Sequence, residues 1–379
     1  TFRILWRVVL PVLKPTIFAL TILTFLTGLG AMSAPLILGG TEFQTIAPMI
    51  LTFSKSSTSK DLAALLALVL GLATIILLTF MIRIEKRGNY MSVSKVKSAL
   101  VKQKINNKAA NIAVHILGYA LFLIYVTPVA LIVLFSFADA RSIATSTLTW
   151  NSFTLENYAR LFTSMGAFRP YLVSVLYAAA ASLGVVALAL FASRIIHRYK
   201  NSKLAMAMEY ALLIPWILPS TLIAIGLVIT FNVPRLVVGN TVLTGTHWIV
   251  ILGYIIIHIP FTMRMVKASF FSLDGNLEDA ARNMGARTFY TFRKVLLPIV
   301  LPSTLAVLAL NFIKILDDYD LTVFLYHPVY QTLGVVIKNS TDVEAGIAAR
   351  AMTLVYSVVL MIMSGLVMYF VYGRGSKDK

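Results

Sequence analysis

The chain has 379 residues, 59% of them hydrophobic and only 13% charged, with a mean hydropathy of +0.85. That is too apolar for a water-soluble globular domain, in which about a quarter of residues are charged. With no cysteine it is excluded from disulfide, thiolate-metal, iron–sulfur and cysteine-nucleophile chemistry. A formal net charge of +18 would fit a nucleic-acid binder in a soluble chain, but in a membrane chain topology is the first explanation to test.

Apolar residues fall into separate runs of about 20, the length a helix needs to cross hydrocarbon, rather than the alternating ten-residue pattern of a membrane barrel. The expected fold class is an all-α integral membrane protein of about eight transmembrane helices. In chain order the spans are read at 15–38, 61–83, 112–138, 171–195, 204–231, 247–266, 299–326 and 350–372.

The second span runs into a basic group that includes Arg83, Lys86, Arg87, Lys95, Lys97, Lys102, Lys104 and Lys108. Placing 1–14, 84–111, 196–203, 267–298 and 373–379 in the cytoplasm collects most Lys and Arg there, which is the positive-inside pattern and puts the C-terminus in the cytoplasm. The stretch 84–111 is then a basic linker touching anionic lipid headgroups, and no nucleic-acid partner is needed. After the third span, Thr147 to Phe162 can lie as a short amphipathic helix on the opposite membrane surface. Pro215 and Pro219 kink the fifth span and free carbonyls toward a central cavity.

Displaced by 287 positions, the chain aligns with itself: Thr1-Phe2 on Thr288-Phe289, Leu10-Pro11 on Leu297-Pro298, Pro15 on Pro302 and Phe25 on Phe312. Both copies run from a basic amphipathic stretch through Leu-Pro into a span. An even number of spans separates them, so the repeat is parallel, against the inverted repeats of many secondary transporters. Residues 1–83 are expected to be the C-terminal part of a first unit in a longer protein, 84–111 a linker, 112–372 a complete second unit of six spans, and 373–379 a tail.

Ahead of the second Leu-Pro lies Asp279-Ala280-Ala281-x3-Gly285-x9-Val295-x-Leu297-Pro298, with Glu278 just before it. Leu277 to Met284 reads as a short helix with Asn276 as N-cap, acidic residues in its first turn favouring the dipole, and Gly285 ending it. The small Ala280 and Ala281 suit close seating in a partner's groove. The string resembles the EAA motif of binding-protein-dependent ABC importer permeases, with Asp279 in place of Glu and Val295 in place of Ile. Phe153 to Phe162, Pro215-x3-Pro219 and His258-Ile259-Pro260 are also similar to that family.

The resemblance implies a type I ABC importer permease fold in a bacterial inner membrane, forming the C-terminal part of a tandem-repeat permease. In that family this loop is the coupling helix, which docks on the ATP-hydrolysing subunit, so Glu278 or Asp279 would pair with a basic residue of the ATPase. Leu10 and Pro11 would be the remnant of the first unit's coupling loop. The chain has no GxxxxGK[ST] phosphate loop, so it is not expected to be an enzyme or to bind a cofactor. ATP and Mg would sit on a separate ATPase, itself a homodimer, and an extracytoplasmic substrate-binding protein would deliver the cargo.

The seventh span carries Lys314, Asp317, Asp318, Tyr319 and Asp320, and charge at membrane depth points to a lined cavity or internal pairing. Thr27, Gly30, Ala31 and Ser33 stand at the aligned positions, so the acidic cluster is one-sided. Three carboxylates suit a cationic substrate or a hard metal ion. The alternative is that Lys314 pairs with Asp317 or Asp318 at helical spacing and the rest serve packing or gating. Among fused permeases, Asp317 to Pro328 resembles the corresponding segment of ferric iron transporters, with polyamine, phosphonate and thiamine permeases as further relatives. A secondary transporter is the reading from another class.

Overall fold

The computed structural model describes residues 6–7, 10–40, 42–56, 58–87, 105, 107–199, 201–274, 276–341 and 345–373. Lys95, Lys97, Lys102 and Lys104 of the basic linker, Thr1, and residues 374–379 of the tail lie outside them. Among the described residues the chain is helical, without strands, and holds two isolated bridges, Ala138–Phe153 and Arg235–Thr241.

The helices are α1 (Leu10–Gly30), α2 (Ser33–Gly39), α3 (Ile46–Lys55), α4 (Lys60–Arg87), α5 (Lys108–Ser136), α6 (Ala140–Thr145), α7 (Glu156–Thr163), α8 (Met165–Arg198), α9 (Lys203–Leu213), α10 (Ser220–Phe231), α11 (His247–Phe271), α12 (Asn276–Asn283), α13 (Thr288–Thr291), α14 (Leu297–Leu316), α15 (Thr322–Leu325), α16 (Leu333–Ser340) and α17 (Ile347–Met368). Six helical stretches are long and apolar enough to cross a membrane, and two bent pairs, α1 with α2 and α9 with α10, raise that to eight.

Three expected spans differ from the observed ones. The span read over 15–38 bends by 62° between α1 and α2, and prolines or a turn explain the other two. The single span read over 204–231 is broken by 105° between α9 and α10. Ile214–Trp216 tightens into a 3-10 turn, and Pro219 takes the N-cap of α10 with extended backbone (φ −58°, ψ 144°), because proline has no N–H to continue a helix and disfavours helical geometry in the residue before it. The span read over 299–326 is displaced: helix begins at Thr288, passes through a π segment at Phe292–Leu296, and ends at Leu316. The π turn gives Pro298 room where its ring would meet the carbonyl one turn back, so the helix continues through the Leu-Pro pair instead of starting after it.

The core forms where α8, α11 and α14 pack together around Tyr177, Ala178, Ala181, Ile249, Tyr254 and Ile315. Alanines on α8 let the backbones approach, which matters because lipid offers no hydrophobic drive for helix association. Gly253 serves the same purpose on α11: a Cβ there would lie 2.9 Å from the side chains of Leu321 and Leu325. By contrast α5 packs on α17 and otherwise turns its apolar surface outward.

Between α5 and α8 the chain folds into a cap. Asp139 N-caps α6 by accepting from the Ser142 N–H at 2.8 Å, and the Asn157 side chain donates to the carbonyls of Ser136 and Ala138. The expected amphipathic helix is present as α7, and it starts later than Thr147 because the Thr149–Ser152 capping box makes a 3-10 turn first.

Element boundaries recur at the 287-residue offset. The starts of α3 and α4 at Ile46 and Lys60 fall on the starts of α16 and α17 at Leu333 and Ile347. Both copies break after the first helix, at Gly30 and at Leu316.

Candidate functional site

The loop between α11 and α14 is built around α12. Asp274 accepts the Asn276 N–H at 3.0 Å, so the capping carboxylate lies two residues before the Asn276 cap expected from sequence. At the other end Gly285 has φ 81°, a left-handed conformation that suits glycine. The Ala286 N–H bonds to the Ala281 carbonyl at 3.0 Å and the Gly285 N–H to that of Arg282 at 2.8 Å. That paired pattern is the Schellman closure, and it turns the chain sharply toward α13.

Of the two residues expected to pair with an ATPase, Glu278 is engaged within the chain. Arg194, in the last turns of α8, donates from Nη1 to Oε2 at 2.9 Å and from Nη2 to Oε1 at 2.6 Å. Arg282 adds a contact of 3.3 Å one helical turn on. The Arg194 hydrogen bonds hold the Glu278 carboxyl below the usual carboxylate range. A forked guanidinium suits this two-point grip on a carboxylate.

Asp279 is exposed and remains available. The alanine pair is divided: Ala281 is buried within the chain, and only Ala280 faces outward. Leu297 and Pro298 lie at the start of α14, beside a cluster of Ala189, Val266, Phe270, Leu296 and Val300 that joins both arms of the loop to α8. The short helix is held to α8 by the Arg194–Glu278 pair. Leu10 and Pro11 lie in α1 at the corresponding positions.

Arg194 was not singled out from the sequence, although a signal existed. It sits in Phe191-Ala-Ser-Arg-Ile-Ile near the end of an apolar run, where a lone guanidinium is costly enough to require a carboxylate.

The acidic residues occupy a turn beyond α14 rather than a helix, which removes the helical spacing expected to join them to Lys314. Among the described residues no ion pair links Lys314 to Asp317 or Asp318; its ammonium lies 4.6 Å from the centre of the Phe261 ring. Asp317 is exposed. Asp318 caps the next helix, accepting from the Leu321 N–H at 3.3 Å, the Thr322 N–H at 3.2 Å and the Thr322 hydroxyl at 2.8 Å. Tyr319 is buried against Met32, Ala47, Leu51, Val323 and Val335. Gly334 backs the turn: a Cβ there would lie 2.9 Å from the Asp318 carbonyl carbon.

Asp320 differs from its neighbours. It takes a main-chain hydrogen bond from Ser33, while its Oδ1 is buried with no hydrogen-bond partner. It also borders two cavities. One, of about 710 Å³, is lined by Ser33, Lys314, Asp317, Asp318, Asp320 and Lys338 among others. The second, of about 290 Å³, brings Asp320 together with Trp216, Pro219 and Ser220 at the α9–α10 break and with Thr27, Gly30 and Thr74. Pro219 and Asp320 thus border the same cavity. Pro215 lies in the 3-10 turn, half-buried, and lines neither cavity.

Residues 185–374, half of the chain, match the family model described as binding-protein-dependent transport system inner membrane component. The chain is 39% identical to the probable ABC transporter permease protein y4fN of Sinorhizobium fredii, over 95% of this chain and 63% of that protein. It is 24% identical to the ferric transport system permease protein FbpB of Actinobacillus pleuropneumoniae, over 97% of this chain and 52% of that one. The putative 2-aminoethylphosphonate transport system permease protein PhnV of Salmonella paratyphi A is 26% identical over 62% of this chain and 88% of its own. The first two comparisons place the chain along roughly half to two thirds of those relatives' length. In fold it is similar to a chain of a bacterial ABC transporter that imports the acidic polysaccharide alginate, with a TM-score of 0.55 at 16% identity, covering 69% of this chain and 95% of that one.

Proposed function

The chain belongs to the family of binding-protein-dependent transport system inner membrane components, and from that premise we propose that it is the permease of an ATP-driven importer whose cargo is ferric iron. The observation that carries this reading is the α12 loop. It is a short helix closed by Gly285, presenting Asp279, Ala280 and Met284 outward while Glu278 ties it to Arg194 of α8 and Ala281 is buried. A helix held in this way can pass a push from a docked ATPase to α8, α11 and α14 as a rigid body.

The partners are those the family implies. A homodimeric ATPase carrying ATP and Mg docks on α12, and an extracytoplasmic binding protein hands over the cargo. The protein lies in a bacterial inner membrane with its C-terminus in the cytoplasm. The recurring starts of α3 and α4 as those of α16 and α17 support two successive permease units, of which 112–372 is complete and 1–83 is the last part of another.

Ferric cargo is supported by the similarity to FbpB and by Asp317, Asp318 and Asp320 on one cavity, since hard trivalent metal ions favour carboxylate oxygen. A second reading, phosphonate cargo, draws on PhnV and on Lys314 and Lys338 lining the same cavity. Polyamine and thiamine remain related classes. A secondary transporter is disfavoured by the parallel repeat.

The test is ATP turnover by the permease reconstituted with its ATPase and binding protein. Stimulation by the ferric-loaded binding protein, and none by the same protein offered 2-aminoethylphosphonate, is expected. The reverse result would transfer the cargo to the phosphonate class.

A further inference from the structure

A slot of about 440 Å³ opens where α3 ends, α4 begins and α10 ends, on the side that the proposed orientation turns outward. Its lining changes character with depth. Lys55 closes α3, Lys60 opens α4 and Asn232 caps α10, so the polar side chains stand at the helix ends that form the rim. Further in the lining is apolar, from Leu51 of α3, Ile225 and Ile229 of α10 and Phe324 of α15. We propose that this slot is a binding site for an anionic phospholipid, with the headgroup phosphate at the two lysines and an acyl chain laid along α10.

Charge at the rim is unbalanced. Both lysines are exposed, and among the described residues no ion pair joins either of them to a carboxylate, although Asp61 follows Lys60 in the chain. Lysine is depleted on the outward side of a membrane protein, so topology does not account for two of them on one slot. Lys55 gains from the negative end of the α3 dipole, but Lys60 sits at the positive end of α4, where a cation is disfavoured. A phosphate shared by the pair offsets that cost. The Asn232 side chain makes no hydrogen bond among the described residues, which leaves its amide for the glycerol and ester oxygens of the lipid.

The apolar part suits a chain rather than a free anion. Ile225 and Asn232 are seven residues apart on one helix, about 10 Å along its axis, which is deep enough to take several methylenes. Ile229 and Val233 are 63% and 45% exposed, so the slot is open along that flank of α10 and a chain can enter sideways. It is also separate from the cargo path. Ala63 of α4 lines the slot and Leu70 lines the smaller cavity at Asp320, with buried Ala67 between them, and the two spaces share no lining residue. A lipid here is therefore a ligand of the wall that bridges α3 and α4 to α10 and α15.

Native mass spectrometry of the full-length transporter, offered phosphatidylglycerol or phosphatidylcholine with the same acyl chains, tests this. The wild type should bind one phosphatidylglycerol about 30-fold more tightly than phosphatidylcholine, the combined effect of two lysines near an anionic headgroup, and the double variant Lys55→Gln, Lys60→Gln should lose that preference. Ile229→Trp, a change at an exposed position, narrows the slot and should weaken the binding of both lipids. Glycerol phosphate, the headgroup chemistry without chains, should not compete. Equal binding of the two lipids by the wild type, an undiminished preference in the lysine variant, unchanged affinity in Ile229→Trp, or displacement by glycerol phosphate would overturn the proposal. ATP-driven uptake by the same preparations in vesicles keeps the readings apart: a wild-type protein that transports yet shows no lipid preference removes the lipid site and leaves the importer standing.

Discussion

Arg194 and Glu278 hold the α12 helix to α8 through two hydrogen bonds, and their side chains keep only 10% and 17% of their surface exposed. Removing one charge from such a pair leaves the other uncompensated, at a cost of about 2 kcal/mol here, below the ~3–5 kcal/mol of fully buried pairs. Glu278→Gln should therefore loosen the loop without unfolding the bundle, seen as faster proteolysis between α11 and α14. The pH dependence has a definite sign. Because Arg194 depresses the folded-state value below the usual 4.5, the pair's contribution is complete above the unfolded carboxylate range and is lost as pH falls through the depressed value. Wild-type protein should resist cleavage at neutral pH and become sensitive only in acid, while Glu278→Gln is sensitive at both. Equal resistance of the two proteins at neutral pH would remove the clamp.

Gly285 and the acidic turn give two further predictions at this scale. A β-branched side chain at Gly285 meets the left-handed penalty of about 1–2 kcal/mol, so Gly285→Val should bind the ATPase less well and uncouple ATP hydrolysis from uptake. Normal coupled uptake would show that the turn is dispensable. Asp318→Ala removes the acceptor for the Leu321 and Thr322 N–H groups at the start of α15, and its effect should appear as a lowered thermal unfolding temperature. Asp320→Asn removes charge from a carboxylate that borders both cavities, and should reduce uptake while leaving thermal stability near wild type. If Asp320→Asn unfolds the protein instead, its role is packing.

At the scale of elements, apolar run length and the positions of loops were legible, because a helix in lipid must satisfy its own backbone over a fixed thickness. The misplaced ends lie where a local backbone preference overrides that rule. Pro219 turns a read kink into a full break, and the π turn ahead of Pro298 lets helix continue where a start was expected. Asp317 to Asp320 fall inside the span read over 299–326, yet α14 ends at Leu316 and the carboxylate of Asp318 accepts from the first turn of a new helix. The loop motif was readable in Asp279, Ala280 and Gly285, since spacing within a short helix fixes geometry. Its clamp was not, because Arg194 lies 84 positions away and only packing of α8 against α11 brings it near.

For the whole molecule, the offset of 287 residues links sequence to architecture: the starts of α3 and α4 recur as those of α16 and α17. One cavity is bordered by Asp320 and Pro219 together with Thr27 and Thr74. The account depends on α12 being the point where ATP hydrolysis enters. Cross-linking from Ala280→Cys, on the outward face of that helix, to cysteines introduced on the ATPase surface is the most direct test. The account predicts a link that forms in the assembled transporter, varies in yield with bound nucleotide, and blocks uptake when closed. No link in any nucleotide state, together with uptake driven by an ion gradient alone, would contradict it.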